Sequence, residues 1–215
     1  IDTDGEGHGT LTLEEAFAKS CNIVFGQLAL ELGEEKLRAT AERMGFNGNF
    51  LFEDLIVYES IFPKAIEDEG ELAWTGVGQG NLMAVPMHLA MIAGAVGNGG
   101  TMVEPQLVLS VRGAAGGVHS RLSTRTALQC MSASTAEIIE SYMIETVESG
   151  TATRAAVDGH TIAGKTGTAQ VNSSGGRYSP HSWYVGYCAE EETPYAIAVV
   201  VENGGSGGSA AARLA

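Results

Sequence analysis

Positive charge is scarce in this chain: 12 Lys and Arg residues stand against 26 Asp and Glu, a net charge of −14 over 215 residues, and no basic cluster occurs. That excludes a nucleic-acid backbone or an anionic membrane surface as the main partner, because both are bound by concentrated cationic charge. Long apolar runs are missing too. The longest, Tyr195 to Val201, falls far short of the roughly 20 residues a bilayer needs, and no basic-then-apolar leader opens the sequence. The three cysteines, Cys21, Cys130 and Cys188, form no C-x-x-C pair, and the five histidines form no H-x-x-x-H pair. No metal site and no cofactor are therefore expected, and an odd number of thiols excludes a complete disulfide framework. The sequence opens Ile1-Asp2-Thr3 without Met, so it is expected to be an interior stretch of a longer protein.

What is present suffices for a core: 44% of the residues are apolar, enough for one domain or two small ones. Thr12 with Glu15 forms a capping box ahead of a short helix whose apolar stripe is Leu13, Ala16 and Phe17. Ser20-Cys21-Asn22 sits at a helix junction, and a second helix with Val24, Leu28 and Leu32 on one face stops at Gly33. A third helical run covers Glu34 to Met44. Asn47 to Glu71 reads as irregular and partly exposed, including the acidic stretch Glu67 to Glu71, and Gly76 to Gly80 reads as a loop. Pro86 opens a buried helix reaching about Val96. Met102 to Val111 reads as extended, Gly113 to Gly117 as a turn, and Ser134 with Glu137 as a second capping box before a helix carrying Ile138, Ile139, Tyr142, Met143 and Val147. Three strands are expected last: Thr161 to Val171, His181 to Ala189 with Trp183, Val185 and Tyr187 alternating, and Tyr195 to Val201. Helices first and consecutive antiparallel strands last give an α+β class with no internal repeat.

Three motifs compete for the chemistry. Gly159-His160-Thr161-Ile162-Ala163-Gly164-Lys165-Thr166 satisfies the phosphate-loop pattern, which needs a strand before its first Gly and a helix opening at its Lys-Thr. Here a helical segment precedes it and an extended one follows. Whether Thr166 to Val171 lies in a strand decides between a nucleotide site and another use of the same residues. Gly204-Gly205-Ser206-Gly207-Gly208 imitates a nucleophile elbow, but that fold needs an acid and a His later in the chain, and no His, Asp or Glu follows Gly208. It reads as a glycine-rich connection. The third reading places Lys165-Thr166-Gly167-Thr168 on a strand at a cleft rim. There a cation and two short hydroxyls can bind a carboxylate, and a residue without Cβ lets a substrate backbone lie close. A strand N–H near Thr168 could face a developing oxyanion.

Ser20-x-Asn22 and Lys165-Thr166-Gly167 are two of the three parts recognised in serine acyl-transferases that act on β-lactams. Together with Gly150-Thr151-Ala152, Ala163 to Gln170, His181 to Tyr187, Gly9 to Ala16, Gly78-Gln79-Gly80, Pro86, Asn98-Gly99-Gly100 and Pro105, they make nearly the whole chain resemble the transpeptidase domain of penicillin-binding proteins. The similarity is greatest to the high-molecular-weight, monofunctional class B members.

The resemblance implies a penicillin-binding transpeptidase fold, serine β-lactamase-like, with an antiparallel sheet and helices, of which the N-terminal part is missing. Residues 1–100 would form a mostly helical lobe, and residues 101–215 an extended segment, a helix and the C-terminal antiparallel strands. It also implies D,D-transpeptidation of peptidoglycan stem peptides through an acyl-serine, binding of β-lactam antibiotics with acylation of the same serine by penicillins, and work on the extracytoplasmic face of the cytoplasmic membrane by a membrane-anchored parent chain. Matching the motifs assigns catalysis to Ser20, Asn22 and Lys165 and substrate binding to Thr166, Gly167 and Thr168. The family's nucleophile and base form a Ser-x-x-Lys unit, yet no serine here has a lysine three residues later. These 215 residues are therefore expected to be a piece of the domain, inactive alone, whose partner is the missing N-terminal part. A degenerate member acting as a non-catalytic binding or sensor module stays open beside the nucleotide-binding alternative.

Overall fold

The computed structural model describes residues 7–52, 55–121, 123–170 and 180–215. Thr12 accepts from the Glu15 N–H while the Glu15 carboxylate accepts from the Thr12 N–H, so the capping box opens α1 (Leu13–Ala18). Helix α2 runs over Asn22–Arg43 with a break at Gly33, whose φ of 78° is left-handed and suits a residue without Cβ. The expected stop is thus a kink between two helical stretches. Short strands β1 (Phe50–Leu51) and β2 (Ile56–Val57) pair within the region expected to be irregular.

The acidic stretch behaves differently from expectation. Asp68 caps α3 (Glu69–Gly76), its carboxylate accepting from the Glu71 N–H at 2.8 Å, and Glu69 and Glu71 fill the first turn. Carboxylates are stabilised there because the helix start carries partial positive charge and unpaired N–H groups. Helix α4 (Pro86–Gly97) follows, then β3 (Thr101–Val103), β4 (Ser110–Arg112), β5 (Val118–Arg121) and β6 (Thr126–Gln129). The segment expected to be one extended run is split. Strand β3 pairs with β6, while β4 and β5 form a separate hairpin.

The cap of helix α5 (Ala133–Glu148) lies two residues before the expected one. Ser132 holds the extended backbone a cap requires and accepts from the Thr135 N–H, which places Ser134 inside the first turn. A single 3₁₀ turn at Thr153–Ala155 leads to the principal sheet: β7 (Ile162–Ala169), β8 (His181–Cys188) and β9 (Ala196–Val201), antiparallel in the order β7-β8-β9. Val171, at the end of the first expected strand, lies outside the described residues. Helix α6 (Ala211–Leu214) ends the chain.

Both faces of the principal sheet are covered, so its middle strand does not show simple alternation. Val185 and Tyr187 join the core built on Phe50, Met91, Met102 and Met143, whereas Tyr184 joins a second core with Val147, Ala152, Ala211 and Ala212. Opposite parity on one strand means opposite faces. Strand β9 has β8 on one side and, among the described residues, no strand on the other; Ile197 is 39% exposed.

Ser182 ties α6 to the sheet. Its buried hydroxyl donates to the Ser206 carbonyl at 2.8 Å and accepts from the Ala211 N–H at 2.9 Å. Ser182→Ala strips both groups of their partner and is expected to destabilise the chain by about 1–3 kcal/mol, read from urea unfolding. An unchanged midpoint would show that water or a backbone shift replaces the hydroxyl.

Candidate active site

The junction between α1 and α2 is built on Ser20, which adopts a left-handed backbone with φ of 54°. For a residue carrying a Cβ this conformation costs about 1–2 kcal/mol, so surrounding bonds must enforce it. They do: the Ser20 N–H donates to the Phe17 carbonyl at 3.1 Å, and the next N–H, of buried Cys21, returns to the Ala16 carbonyl at 2.9 Å. Asn22 then opens α2 in a half-buried position. The end of α1 is pinned to the region after α5 by the Thr151 N–H, which donates to the Ala18 carbonyl at 3.1 Å. Phe17 packs against Phe25 at a ring separation of 6.2 Å and against Tyr142 at 5.9 Å, locking α1 to α2 and α5.

These contacts bring the Ser20 hydroxyl to β7. The Lys165 ammonium donates to the Ser20 Oγ and, at 3.0 Å, to the carbonyl of Thr166, and it sits over the Phe17 ring at 5.6 Å. Two groups 145 positions apart thus share a hydrogen bond. Burial pushes the Lys165 ammonium down to about 8, because a charged amine loses its hydration and finds no carboxylate partner among the described residues.

The other three predicted residues follow on the same strand. The Thr166 hydroxyl meets the Thr151 hydroxyl at 2.6 Å. A Cβ added to Gly167 would touch Trp183 at 3.2 Å, so that face of β7 is tight only against the neighbouring strand. The Thr168 hydroxyl accepts from the Gly207 N–H at 3.1 Å, which anchors the glycine-rich connection expected at Gly204 to Gly208; a Cβ on Gly207 would strike the Trp183 carbonyl at 2.8 Å. Asn22 shares the helix junction with Ser20, one residue past Cys21 at the start of α2.

Two further residues were not picked out as site candidates. Thr151 pairs with Thr166. Gln79, flanked by Gly78 and Gly80 with φ of 80° and 71°, donates to the Thr168 carbonyl at 2.8 Å and accepts from the Gln170 N–H at 3.2 Å. A strand residue's N–H and C=O point to the same edge, so Gln79 identifies the Thr168 N–H as lying on the edge away from β8. The signal that could have found Gln79 is its pair of flanking glycines.

The fold also decides between the competing motifs. Lys165 and Thr166 lie inside β7, paired in register with Val185 and Tyr184, not at the start of a helix. A phosphate loop needs helix-start N–H groups at that point, so the nucleotide-binding alternative is overturned.

Helices over an antiparallel sheet, with Lys-Thr-Gly on the edge strand answered by Ser-x-Asn at a helix junction, are the architecture of the penicillin-recognising serine transferases. Within that class the chain belongs to the penicillin-binding protein transpeptidase family, whose sequence model, described as penicillin binding protein transpeptidase domain, matches residues 1–215. It is 33% identical over 210 residues to the peptidoglycan D,D-transpeptidase PbpA of Mycolicibacterium smegmatis, covering 95% of this chain and 42% of the relative. It is 30% identical over 226 residues to the peptidoglycan D,D-transpeptidase MrdA of Acinetobacter baumannii, covering 95% and 34%. Among solved structures, the ceftriaxone acyl-enzyme of Mycobacterium tuberculosis penicillin-binding protein A superposes with a TM-score of 0.89 at 31% identity, over 97% of this chain and 48% of that one. The penicillin G acyl-enzyme of the same protein gives 0.82 at 32% identity, over 95% and 46%. The chain therefore spans less than half the length of these relatives. No helix among the described residues is long and apolar enough to cross a membrane.

Proposed function

We propose that these residues are the substrate-recognising part of a peptidoglycan D,D-transpeptidase that cross-links stem peptides and is acylated by β-lactams. The observation that carries the reading is the Ser20–Lys165 hydrogen bond, which joins the two motifs into one site. In this mechanism a serine of a Ser-x-x-Lys unit outside the 215 residues attacks the penultimate D-Ala carbonyl. The C–N bond breaks, D-Ala leaves with the proton, and an amine of a neighbouring strand then displaces the serine oxygen.

Each residue here has a task in that sequence. Lys165, with Thr166 and Thr168, binds the terminal carboxylate by charge-assisted hydrogen bonds. Gly167 lets the peptide lie against β7, and the Thr168 N–H on the outer edge faces the oxyanion that forms on the attacked carbonyl. Ser20 relays the proton toward the leaving or attacking nitrogen, supported by its contact with an ammonium of lowered pKa. Asn22 holds the substrate amide and the lysine base. The setting is the extracytoplasmic face of the cytoplasmic membrane, with the parent chain anchored there.

Intact mass before and after benzylpenicillin tests the reading. With the natural upstream sequence restored, a stoichiometric adduct on a serine outside these residues is expected, and the 215 residues alone remain unmodified. An adduct on the 215 residues alone overturns their predicted inactivity. A folded, restored protein that takes up no penicillin overturns the enzyme reading in favour of a non-catalytic binding module.

A further inference from the structure

Away from Lys165, the end of the principal sheet where β7 begins gathers three side chains that sequence spacing kept apart. The β7–β8 register sets Ile162 against Cys188, and the Ala189 N–H donates to the Thr161 carbonyl at 2.8 Å. This closes the strand ends and delivers His160, Cys188 and Glu190 to one spot, about 10 Å along the strand from Lys165 at roughly 3.3 Å per residue. One ligating atom from each lies within 4.8 Å of the others.

The carboxylate is already oriented. Glu190 Oε1 accepts from the Thr161 N–H at 2.9 Å, which leaves Oε2 to face His160 Nδ1 at 2.9 Å and the Thr193 hydroxyl at 3.3 Å. The Thr193 Oγ1 in turn lies 2.9 Å from the Cys188 Sγ. An ion pair would account for His160 with Glu190, but it gives the thiol no role. A divalent cation between them would take the carboxylate and the thiol, deprotonated on binding, together.

We propose that His160, Cys188 and Glu190 form a binding site for a borderline-soft divalent cation of the zinc class. One imidazole nitrogen, one thiolate and one carboxylate oxygen are a donor set for that class, since thiolate selects against magnesium and calcium. Bond lengths of about 2.0–2.3 Å in a tetrahedron place donors about 3.3–3.8 Å apart. His160 and Glu190 stand 2.9 Å apart and no pair of the three donors is separated by more than 4.8 Å, so the site is close to that spacing. Three protein ligands leave a fourth position for water. Cys188 and Glu190 also line a groove of about 910 Å³ shared with Tyr187, Pro194 and Tyr195, which provides the entry path. The neighbouring Glu191 and Glu192, in a chain of net charge −14, raise the local concentration of cations. Bound metal would clamp the Glu190–Pro194 connection to the start of β7.

Zinc titration calorimetry on the reduced full chain, with cobalt(II) absorption as the coordination probe, tests the site. One equivalent of zinc is expected to bind, with tetrahedral cobalt bands and a thiolate-to-cobalt charge-transfer band. Cys188→Ser abolishes that charge-transfer band and weakens zinc on the order of a hundredfold, and His160→Ala and Glu190→Gln each weaken it by at least about tenfold. These residues are partly exposed, so the variants retain the fold, checked by circular dichroism. Absence of saturable binding overturns the proposal. So does a charge-transfer band that survives Cys188→Ser, because the thiolate would then be Cys21 or Cys130.

Discussion

Replacing Lys165 by alanine, in the protein that carries these residues together with its nucleophile, is expected to slow penicillin acylation by about 10²–10³-fold while leaving the protein folded. The magnitude follows from the loss of a charge-assisted contact to the ligand carboxylate, about 1.5–3 kcal/mol, plus the disturbed contact with Ser20. A tenfold change in rate corresponds to about 1.4 kcal/mol. The pH profile separates this role from a structural one. Lys165 is held at about 8 by burial, so its charge is complete below that pH and is lost as pH rises through it. Wild-type acylation should therefore fall along an alkaline limb centred near pH 8. Lys165→Arg stays charged throughout, and although its planar head fits the contact poorly and acylates more slowly, it should lack that limb. Time-resolved acylation with a fluorescent penicillin from about pH 6 to about pH 10 reads both effects. Wild-type rates in Lys165→Ala, or an unchanged limb in Lys165→Arg, would sink the carboxylate-binding role.

The parts of the fold legible in the sequence are those with a local cause. The Thr12–Glu15 box, the break at Gly33, Pro86 at a helix start and the three final strands each follow from residues a few positions apart. Helix α3 was equally local, and its signal, Asp68 three residues before Glu71, was obscured by the acidic composition around it. What was not legible depends on contacts across the chain. The covering of both sheet faces, which buries Tyr184 on one side and Tyr187 on the other, follows from where α4, α5 and α6 pack. Trp183, Val185 and Tyr187 predicted one buried face, and the structure has two.

The site shows the same division. Lys165-Thr166 satisfies a phosphate-loop pattern and a strand motif equally well as letters, and only pairing with β8 decides between them. Ser20 meets Lys165 because Thr151 holds the end of α1 and Phe17 wedges between helices, none of which is implied by a spacing of 145 residues. Motif resemblance reached the pair without explaining it. His160, Cys188 and Glu190 had no motif at all, since their meeting is a property of strand register.

Lys165→Met is expected to make the chain more stable at neutral pH even as it removes the proposed anion site. A lysine shifted from 10.5 to about 8 means that the folded state disfavours the charged amine. The difference, 10.5 − 8 = 2.5, corresponds to about 3 kcal/mol as an upper bound. Methionine fills similar volume without a charge, and the hydrogen bonds to Ser20 and the Thr166 carbonyl are lost, so a net gain of about 1–2 kcal/mol is expected, or roughly 2–8 °C in Tm. The sign is fixed by linkage. Below about pH 8 both folded and unfolded chains hold the proton, and the penalty is complete. From about 8 to 10.5 the folded chain has released its proton while the unfolded chain still binds one, so wild-type stability rises with pH and the advantage of methionine shrinks. Urea unfolding of both proteins near pH 7 and near pH 10.5 measures the closing gap. A methionine variant less stable at neutral pH, or a gap that widens with pH, would show that the ammonium is satisfied in the fold. The predicted outcome instead makes Lys165 a residue the fold tolerates at a cost in stability, as expected for a cation kept waiting for the carboxylate of its substrate.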